Sequence, residues 1–251
     1  MDLGLLAICF ALFIVAMLYA SVGHGGASGY LAVLSLSTYG AMEAAWLKQH
    51  AWCLNLVVAG IAFWHFHRAG HHVPKLTIPF VVASVPLALY AGSLKVEGSV
   101  YDLLLSICLM LAAWRLYMVR VEDMGVEGVP TWNVATPTGG VIGFVSGMVG
   151  IGGGVLLSPI LLLKRWATPT GAAATSAIFV WVNSCASLGG AALSNQMVLD
   201  VETLLPFVFA VLIGAFIGSR FGAEIAPQYL IRKLLVVVLL VASVNRIFGV
   251  F

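Results

Sequence analysis

The sequence has very little charge. Of its 251 residues only 9% are Asp, Glu, Lys or Arg, whereas 61% are hydrophobic. A soluble domain carries about 25% charged residues, so this chain is too poor in them to cover a surface that faces water. The composition therefore predicts an all-α integral membrane protein whose main surroundings are the lipid bilayer.

Several signatures of other protein classes are also missing. The net charge of +2 comes without any run of basic residues, which argues against nucleic-acid binding. The four cysteines lie inside apolar segments without CxxC spacing, so we interpret them as packing residues and expect no metal and no cofactor. The chain has no GxSxG, HExxH or GxxxxGK[ST] motif, and we expect neither catalytic residues nor an enzyme.

Long apolar segments predict the membrane spans. The first lacks a basic n-region and a clear cleavage site, so it is expected to be retained as a span. Two further apolar pieces, 30–36 and 155–163, are too short to cross the bilayer as helices. The expected spans are 3–22, 41–64, 76–92, 100–119, 134–149, 172–193, 204–221 and 230–251.

Two glycine-rich stretches interrupt this pattern and match each other. Gly23, Gly25 and Gly26 fall on Gly150, Gly152 and Gly153 at an offset of 127 residues. Pro79-Phe80 and Pro206-Phe207 keep the same offset, and Asn55 matches Asn183 with a slip of one. A fixed offset at separate places indicates a duplication. The expected units are a first repeat, 1–120, a polar linker, 121–133, and a second repeat, 134–251.

The basic loops predict how the two repeats are oriented. Cytoplasmic loops are enriched in Lys and Arg, which places the loop at 65–75 and the pair Lys164-Arg165 inside. Equivalent loops then lie on opposite faces, so the repeats have inverted topology. Each glycine break becomes the apex of a helical hairpin that three transmembrane helices follow, and both termini are expected outside.

A glycine break at membrane depth favours a binding site. Its free N–H groups and the positive end of the following helix suit an anion, and inverted halves with broken helices are a recurrent transporter design. The alternative is that glycines only let helices pack closely. That alternative explains pairs such as Gly139-Gly140 and Gly189-Gly190, but it explains two matched breaks less well.

The polar residues inside the expected spans indicate the charge of the ligand. None of the ten acidic residues lies in the middle of a span, whereas a cation carrier usually keeps a carboxylate there. The intruding side chains can all donate hydrogen bonds, which favours an oxyanion. They are His24, Lys48, Gln49, His50, Asn55, Thr175, Ser176 and Asn183.

Each intruding residue has a plainer alternative. Lys48 could snorkel to the headgroups, and His50 beside Trp52 could be interfacial. Thr175 and Ser176 could bond back to their own helix, Asn183 could join helices, and His24 could be a loop histidine near water. The histidines from 65 to 72 could hold a metal, but their basic loop favours a solvated position facing headgroups.

The motifs resemble those of a known family. The run from Gly150 to Pro159, the following Ala174-Thr175-Ser176 and the repeated Gly23–Gly26 resemble the TauE/SafE sulfite exporter family over essentially the whole chain. The first half departs from the pattern, because Leu31-Ala32 and Lys48-Gln49 stand where the second half has Ser158-Pro159 and Thr175-Ser176. The resemblance implies movement of sulfite, sulfonates and other organosulfur anions across the bacterial inner membrane.

These observations together predict a secondary transporter that works by alternating access. A small sulfur-containing anion would be held between the two breaks, and rocking of the halves would expose it to each side in turn. An anion channel, or a membrane enzyme acting on a lipid, are the alternatives. The coupling ion stays open between a proton and sodium, and the sequence indicates no oligomeric state. The residues expected to bind the anion are Gly23, His24, Gly25, Gly26, Ser28, Lys48, Gln49, Asn55, Gly150, Gly152, Gly153, Gly154, Thr175, Ser176 and Asn183.

Overall fold

The computed structural model describes residues 3–95 and 126–227, together with Ile107, Leu230 and Lys233. Within these residues the structure is helical, with no strand. The expected spans at 100–119 and 230–251 and the linker residues 121–125 lie almost wholly outside this part of the chain. The helices are α1 (Leu3–Ala20), α2 (Ala27–Ser35), a 3₁₀ turn (Thr38–Ala41), α3 (Ala44–Arg68), α4 (Pro74–Gly92), α5 (Trp132–Val149), α6 (Gly154–Leu163), α7 (Pro169–Leu193) and α8 (Val201–Arg220), which continues as a π-helical turn (Phe221–Ile225).

Four of these helices are long and apolar enough to cross a membrane. They are α1, α4, α7 and α8 with its π-helical extension. The two short helices, α2 and α6, follow the two glycine breaks, as the sequence predicted. The prediction of an all-helical membrane protein with several spans is thus confirmed for the described part of the chain.

Two of the helix boundaries that differ from the prediction have a clear local reason. Helix α2 begins at Ala27 and not at residue 30, because Gly26 already adopts the left-handed conformation, φ 95°, at its N-cap. Helix α3 extends past residue 64 to Arg68. The expected basic loop therefore shrinks to residues 69–73, after which Pro74 opens α4 at a position that suits proline.

Helices α3 and α7, each of 25 residues, form the centre of the molecule and pack against each other. Around them α1 packs most extensively on α8, and α4 packs on both α5 and α7. Each outer pair therefore joins one helix from the first part of the chain with one from the second.

Small residues bring the outer helices close together. A Cβ atom on Gly139 of α5 would overlap the carbonyl oxygen of Phe80 in α4, and one on Gly143 would lie 2.6 Å from the Cα of Ser84. On the other side Gly214 and Gly218 of α8 lie directly against the backbone of α1. These four glycines serve close helix packing, which is the plainer of the two interpretations of glycine in this chain.

Candidate functional site

The two glycine breaks adopt matching backbone conformations. The φ angles are +73° at Gly23 and +89° at its counterpart Gly150, and they are +95° at Gly26 and +86° at Gly153. Gly152 adds a fifth positive φ of +73°. Residues with a Cβ atom rarely adopt this conformation, so glycine is required at these positions by backbone geometry alone.

The two breaks meet on either side of Asn55 in α3 and Val180 in α7. A Cβ atom on Gly25 would overlap Asn55 Oδ1, and one on Gly152 would lie 2.7 Å from Asn55 Nδ2. Each of them would also come within 2.9 Å of Val180 Cγ1. There is no room for a side chain on either break, so the backbones of both approach the same point between the central helices.

The Asn55 amide connects these elements through hydrogen bonds. Its Oδ1 accepts from the Ala27 N–H at 3.1 Å, and its Nδ2 donates to Ser184 Oγ of α7 at 3.3 Å. Because the N-cap residue of α2 is a glycine without a side chain, Asn55 supplies the capping oxygen from another helix. Asn55 is fully buried, and a buried amide needs such partners.

His24 joins the first break to the second. Its Nε2 lies 2.8 Å from Ser158 Oγ of α6, and that hydroxyl lies 2.6 Å from Ser176 Oγ of α7. The His24 side chain is 1% exposed, so the alternative of a loop histidine near water is wrong. Its other ring nitrogen, Nδ1, has no hydrogen-bond partner among the described residues.

Several polar groups around this point lack protein partners. In the described part of the chain no acceptor meets the backbone N–H groups of Gly25 and Gly26 in the first break, or those of residues 151–153 in the second. Both amide atoms of buried Asn183 are also without a partner. Buried polar groups are nearly always satisfied in native proteins, so a concentration of open donors at one place indicates a site for something else that accepts.

Lys48 and Gln49 lie nearer to the start of α3 than Asn55 does. They precede Asn55 by seven and six residues in α3, a distance of about 10 Å along the helix axis. Lys48 Nζ donates to the Met148 carbonyl at 3.3 Å and is 5.9 Å from the Trp52 ring centroid. The lysine is 4% exposed and does not snorkel to the surface.

Both residues line a cavity of about 460 Å³. It is enclosed by the start of α3 and by the segments that follow α4 and α7, including Lys95 and Gln196. Its charged lining residues are Glu43, Lys48 and Lys95, so positive charge is in excess. A Cβ atom on Gly150 would lie 2.9 Å from Lys48 Cγ, which places this lysine between the cavity and the second break.

Gln49 ties the cavity wall together. Its side-chain nitrogen donates to the Gln196 carbonyl at 2.6 Å, and its oxygen accepts from the Val198 N–H at 2.8 Å. Gln196 in turn donates to the Ser93 carbonyl at 2.7 Å. The Gln49 amide is thus used for structure.

Three further polar residues face other neighbours. Thr175 Oγ1 accepts from Thr77 of α4 at 3.3 Å, and Ser28 Oγ lies 2.9 Å from the Tyr19 hydroxyl. Neither Thr175 nor Ser176 bonds back to its own helix. His50 is fully buried against Trp46 and the Asp200 backbone, so the interfacial alternative for this histidine is wrong.

The histidines from 65 to 72 were predicted to be solvated, but among them only His67 is exposed. His65 lies within α3, is 3% exposed and bonds Ser219 Oγ at 2.8 Å. His71 and His72 bond the Ala223 carbonyl and Thr77. Burial, followed by the charge of His67, lowers the pKa of His72. Within the described ranges, no three His, Cys, Asp or Glu side chains are placed to share a metal ion.

The structure therefore divides the predicted residues. It brings together His24, Gly25, Asn55, Gly152, Gly154 and Ser176, and it places Lys48 against Gly150 at the edge of the second break. The side chains of Gln49, Thr175 and Ser28 are bonded to Gln196, Thr77 and Tyr19. Sequence reasoning missed Ser158, Ser184 and Val180 as members of the cluster. Ser158 belongs to the second glycine motif, which is the one signal that would have found it.

Comparisons with known proteins give a consistent result. The family model described as "Sulfite exporter TauE/SafE" matches residues 8–246. A "Probable membrane transporter protein y4hK" of Sinorhizobium fredii (strain NBRC 101917 / NGR234) is 33% identical over 250 residues, covering 98% of this chain and 99% of that protein. A "Probable membrane transporter protein" of Xylella fastidiosa (strain Temecula1 / ATCC 700964) is 37% identical over 113 residues, 45% of this chain and 41% of that protein. No solved structure matches significantly.

Proposed function

Because the chain belongs to the TauE/SafE sulfite exporter family, as its motifs predicted, and is a membrane transporter, we propose that it carries a small sulfur-containing oxyanion. Sulfite or an organosulfonate is the proposed substrate, and the bacterial inner membrane is the proposed location. Transport is secondary and proceeds by alternating access. The names of the family and of the relatives describe transport and not enzymatic chemistry.

One observation carries the choice of substrate class. The backbone N–H groups of Gly25, Gly26 and residues 151–153 belong to the two helix breaks and have no acceptor among the residues that the structure describes. Apart from Glu202 in the first turn of α8 and Glu224 in the π-helical turn, the helices of the described ranges contain no Asp or Glu. Donors without a competing carboxylate suit the several oxygens of a sulfo or sulfite group.

The cavity beside Lys48 is the proposed entrance. Its volume is within the range of about 300–1,000 Å³ that small-molecule pockets occupy. The positive excess from Lys48 and Lys95 attracts an anion, and Lys48 adjoins Gly150 at the edge of the second break. The segments that enclose it are those expected outside, so the proposal describes an outward-facing state.

Helix packing supports the inverted repeat. Suppose that the two repeats correspond helix by helix, α1 to α5, α2 to α6, α3 to α7 and α4 to α8. Exchanging the repeats then turns the packed pair α1–α8 into the packed pair α5–α4, and it leaves the pair α3–α7 unchanged. The extensive contacts of α4 with α7 and of α3 with α8 exchange in the same way. A two-fold relation between the halves accounts for this pattern, and it is the arrangement of many secondary transporters.

The test is a flux assay with a substitution in the second break. We expect wild-type protein in liposomes to take up sulfite or a sulfonate with saturation and counterflow, and Gly152→Val to lower the rate at least about a hundredfold. The valine would collide with Asn55 Nδ2 and Val180, and it would strain a φ of +73°. Gly70→Val is the matched control, because Gly70 has a similar φ of +81° but nothing within 4 Å of its Cβ position.

The outcomes separate this proposal from its alternatives. Equal rates for Gly152→Val and wild type would overturn the site. Large currents without saturation or counterflow would indicate an anion channel of the same architecture. Failure of wild-type protein to move any of sulfite, methanesulfonate or taurine would overturn the substrate class.

A further inference from the structure

His24 is a titratable side chain placed where the two breaks meet. Its Nε2 is held by Ser158 at 2.8 Å, and Ser158 is held by Ser176 at 2.6 Å. Its Nδ1 has no partner among the described residues, although the ring is 1% exposed. A buried ring nitrogen without a partner is a functional candidate, because native structures rarely leave such an atom unsatisfied.

The elements packed around His24 bring no other charge to it. Helix α1 contributes Tyr19, whose ring centroid is 6.3 Å from that of His24, and α2 contributes Tyr30. Helix α6 contributes Ser158 and has no titratable residue, and α7 contributes Ser176 and has only Cys185. Helix α3 contributes Asn55 at this level and, about 10 Å along its axis, Lys48, which adjoins Gly150 at the edge of the second break and donates to the Met148 carbonyl.

An anion beside His24 would therefore enter a buried place whose neighbouring cation, Lys48 at the edge of the second break, is already bonded to the Met148 carbonyl. Burying a single charge away from water is costly unless an opposite charge accompanies it. The imidazole can provide that charge by taking up a proton. The bound anion then raises the affinity of the imidazole for the proton. By reciprocity the bound proton raises the affinity of the site for the anion by the same factor.

Resting on the proposed function, we infer that His24 binds one proton for every anion that the site binds, so that the protein is a proton–anion cotransporter. On one side water gives up a proton to the imidazole as the anion enters. As a cation the ring donates from Nε2 to Ser158 Oγ and from Nδ1 to the anion. On the other side the anion leaves and the proton returns to water. For a monoanion the net charge moved per cycle is zero.

Methanesulfonate is the probe for this cotransport, because its sulfo group stays ionised and the molecule cannot carry the proton itself. Wild-type protein in liposomes with an internal pH one unit above the external pH should accumulate the probe about tenfold, since one pH unit supplies a tenfold proton gradient. A pH-sensitive dye inside the liposomes should report that the interior acidifies as the probe is taken up. Clamping the membrane potential to zero should leave the rate unchanged, because no net charge moves.

Two variants assign the coupling to His24. His24→Gln keeps a side chain that can donate a hydrogen bond but does not titrate, so accumulation and acidification should both disappear, and any downhill exchange that remains should move no protons. His67→Gln is the matched control, because this exposed histidine lies near the C-terminal end of α3 and away from the breaks. Ser158→Ala keeps the histidine but removes the acceptor of its Nε2 proton. The pH at which uptake falls to half of its maximum should then be about one unit lower for Ser158→Ala than for wild type.

Each outcome has a distinct meaning. Accumulation in wild type that His24→Gln abolishes, with His67→Gln unaffected, supports the inference. Uptake by wild type without acidification, accumulation that persists in His24→Gln, or an unchanged half-point in Ser158→Ala would overturn it. If His24→Gln fails to fold, the wild-type dye signal and the Ser158→Ala shift decide. Absence of any sulfonate flux by wild type would overturn the proposed function itself.

Discussion

At the scale of the residue, Asn55 combines requirements that few side chains meet. It presents an acceptor to the Ala27 N–H and a donor to Ser184 within one flat group. An aspartate could not donate, and a leucine could do neither. The sequence marked this residue because a polar amide stands inside an apolar segment, but its partners lie 28 and 129 residues away along the chain, where no local pattern reaches.

A prediction at the scale of the residue concerns Lys48. Replacing it with methionine keeps the length of the side chain but removes the buried cation beside the cavity. We expect the KM for the transported anion to rise about tenfold while the maximal rate stays within about twofold, because attraction into the cavity is lost. Initial rates in liposomes over a range of anion concentrations measure this.

The control for Lys48→Met is Lys75→Met, which removes an exposed cation next to the start of α4. That variant should keep the wild-type KM. If Lys48→Met also keeps it, Lys48 has no part in bringing the anion to the site.

At the scale of the helix, glycine has two separate uses in this protein. In the breaks it permits positive φ, and in α5 and α8 it permits close contact between helices. Among the helical glycines, the neighbours of a Cβ atom show which ones pack closely. A Cβ atom on Gly139 would meet the Phe80 backbone, whereas one on Gly189 would have nothing within 4 Å. The sequence shows the glycines but not their neighbours, which is why this distinction needed the folded chain.

A pair of substitutions tests the packing role. Gly139→Ala should lower the free energy of unfolding by about 1–3 kcal/mol, because the methyl group forces α5 away from α4. Gly189→Ala, in the last two turns of α7, should be neutral or raise it by up to about 1 kcal/mol through helix propensity. Thermal unfolding of the purified proteins in detergent, followed by circular dichroism, measures both. Equal melting temperatures for the two variants would contradict the packing role.

Local patterns predicted the helices well where apolar length and glycine decide. The breaks, the short helices after them and the long central helices follow from the sequence. The extension of α3 did not, because His65 and Arg68 read as loop residues until Ser219 on α8 provides His65 with a partner. Lys48 was predicted at the site from its charge, but its position between the cavity and Gly150 could not be read from the sequence.

At the scale of the whole molecule, the orientation of the two halves is the property that remains a prediction. The prediction rests on the Lys and Arg residues of the loops. These residues set the orientation during membrane insertion and not through contacts in the folded protein. In a variant without native cysteines, Met197→Cys should react with an impermeant maleimide from outside the cell. Gly70→Cys, at the equivalent position 127 residues earlier in the first repeat, should react only after the membrane is made permeable. Both positions are exposed. Labelling of both from the same side would rule out the inverted arrangement.

The interlocked packing of the helices also limits which parts of the protein can move. Rigid rocking of one repeat against the other would pull α1 off α8 and α4 off α5, which are among the most extensive contacts in the molecule. Motion that keeps those pairs intact moves α1 with α8 as one body and α4 with α5 as another. If the chain is duplicated as its sequence predicts, each mechanical unit would then contain helices from both repeats. The boundary along which the protein opens would in that case not be the boundary between the repeats.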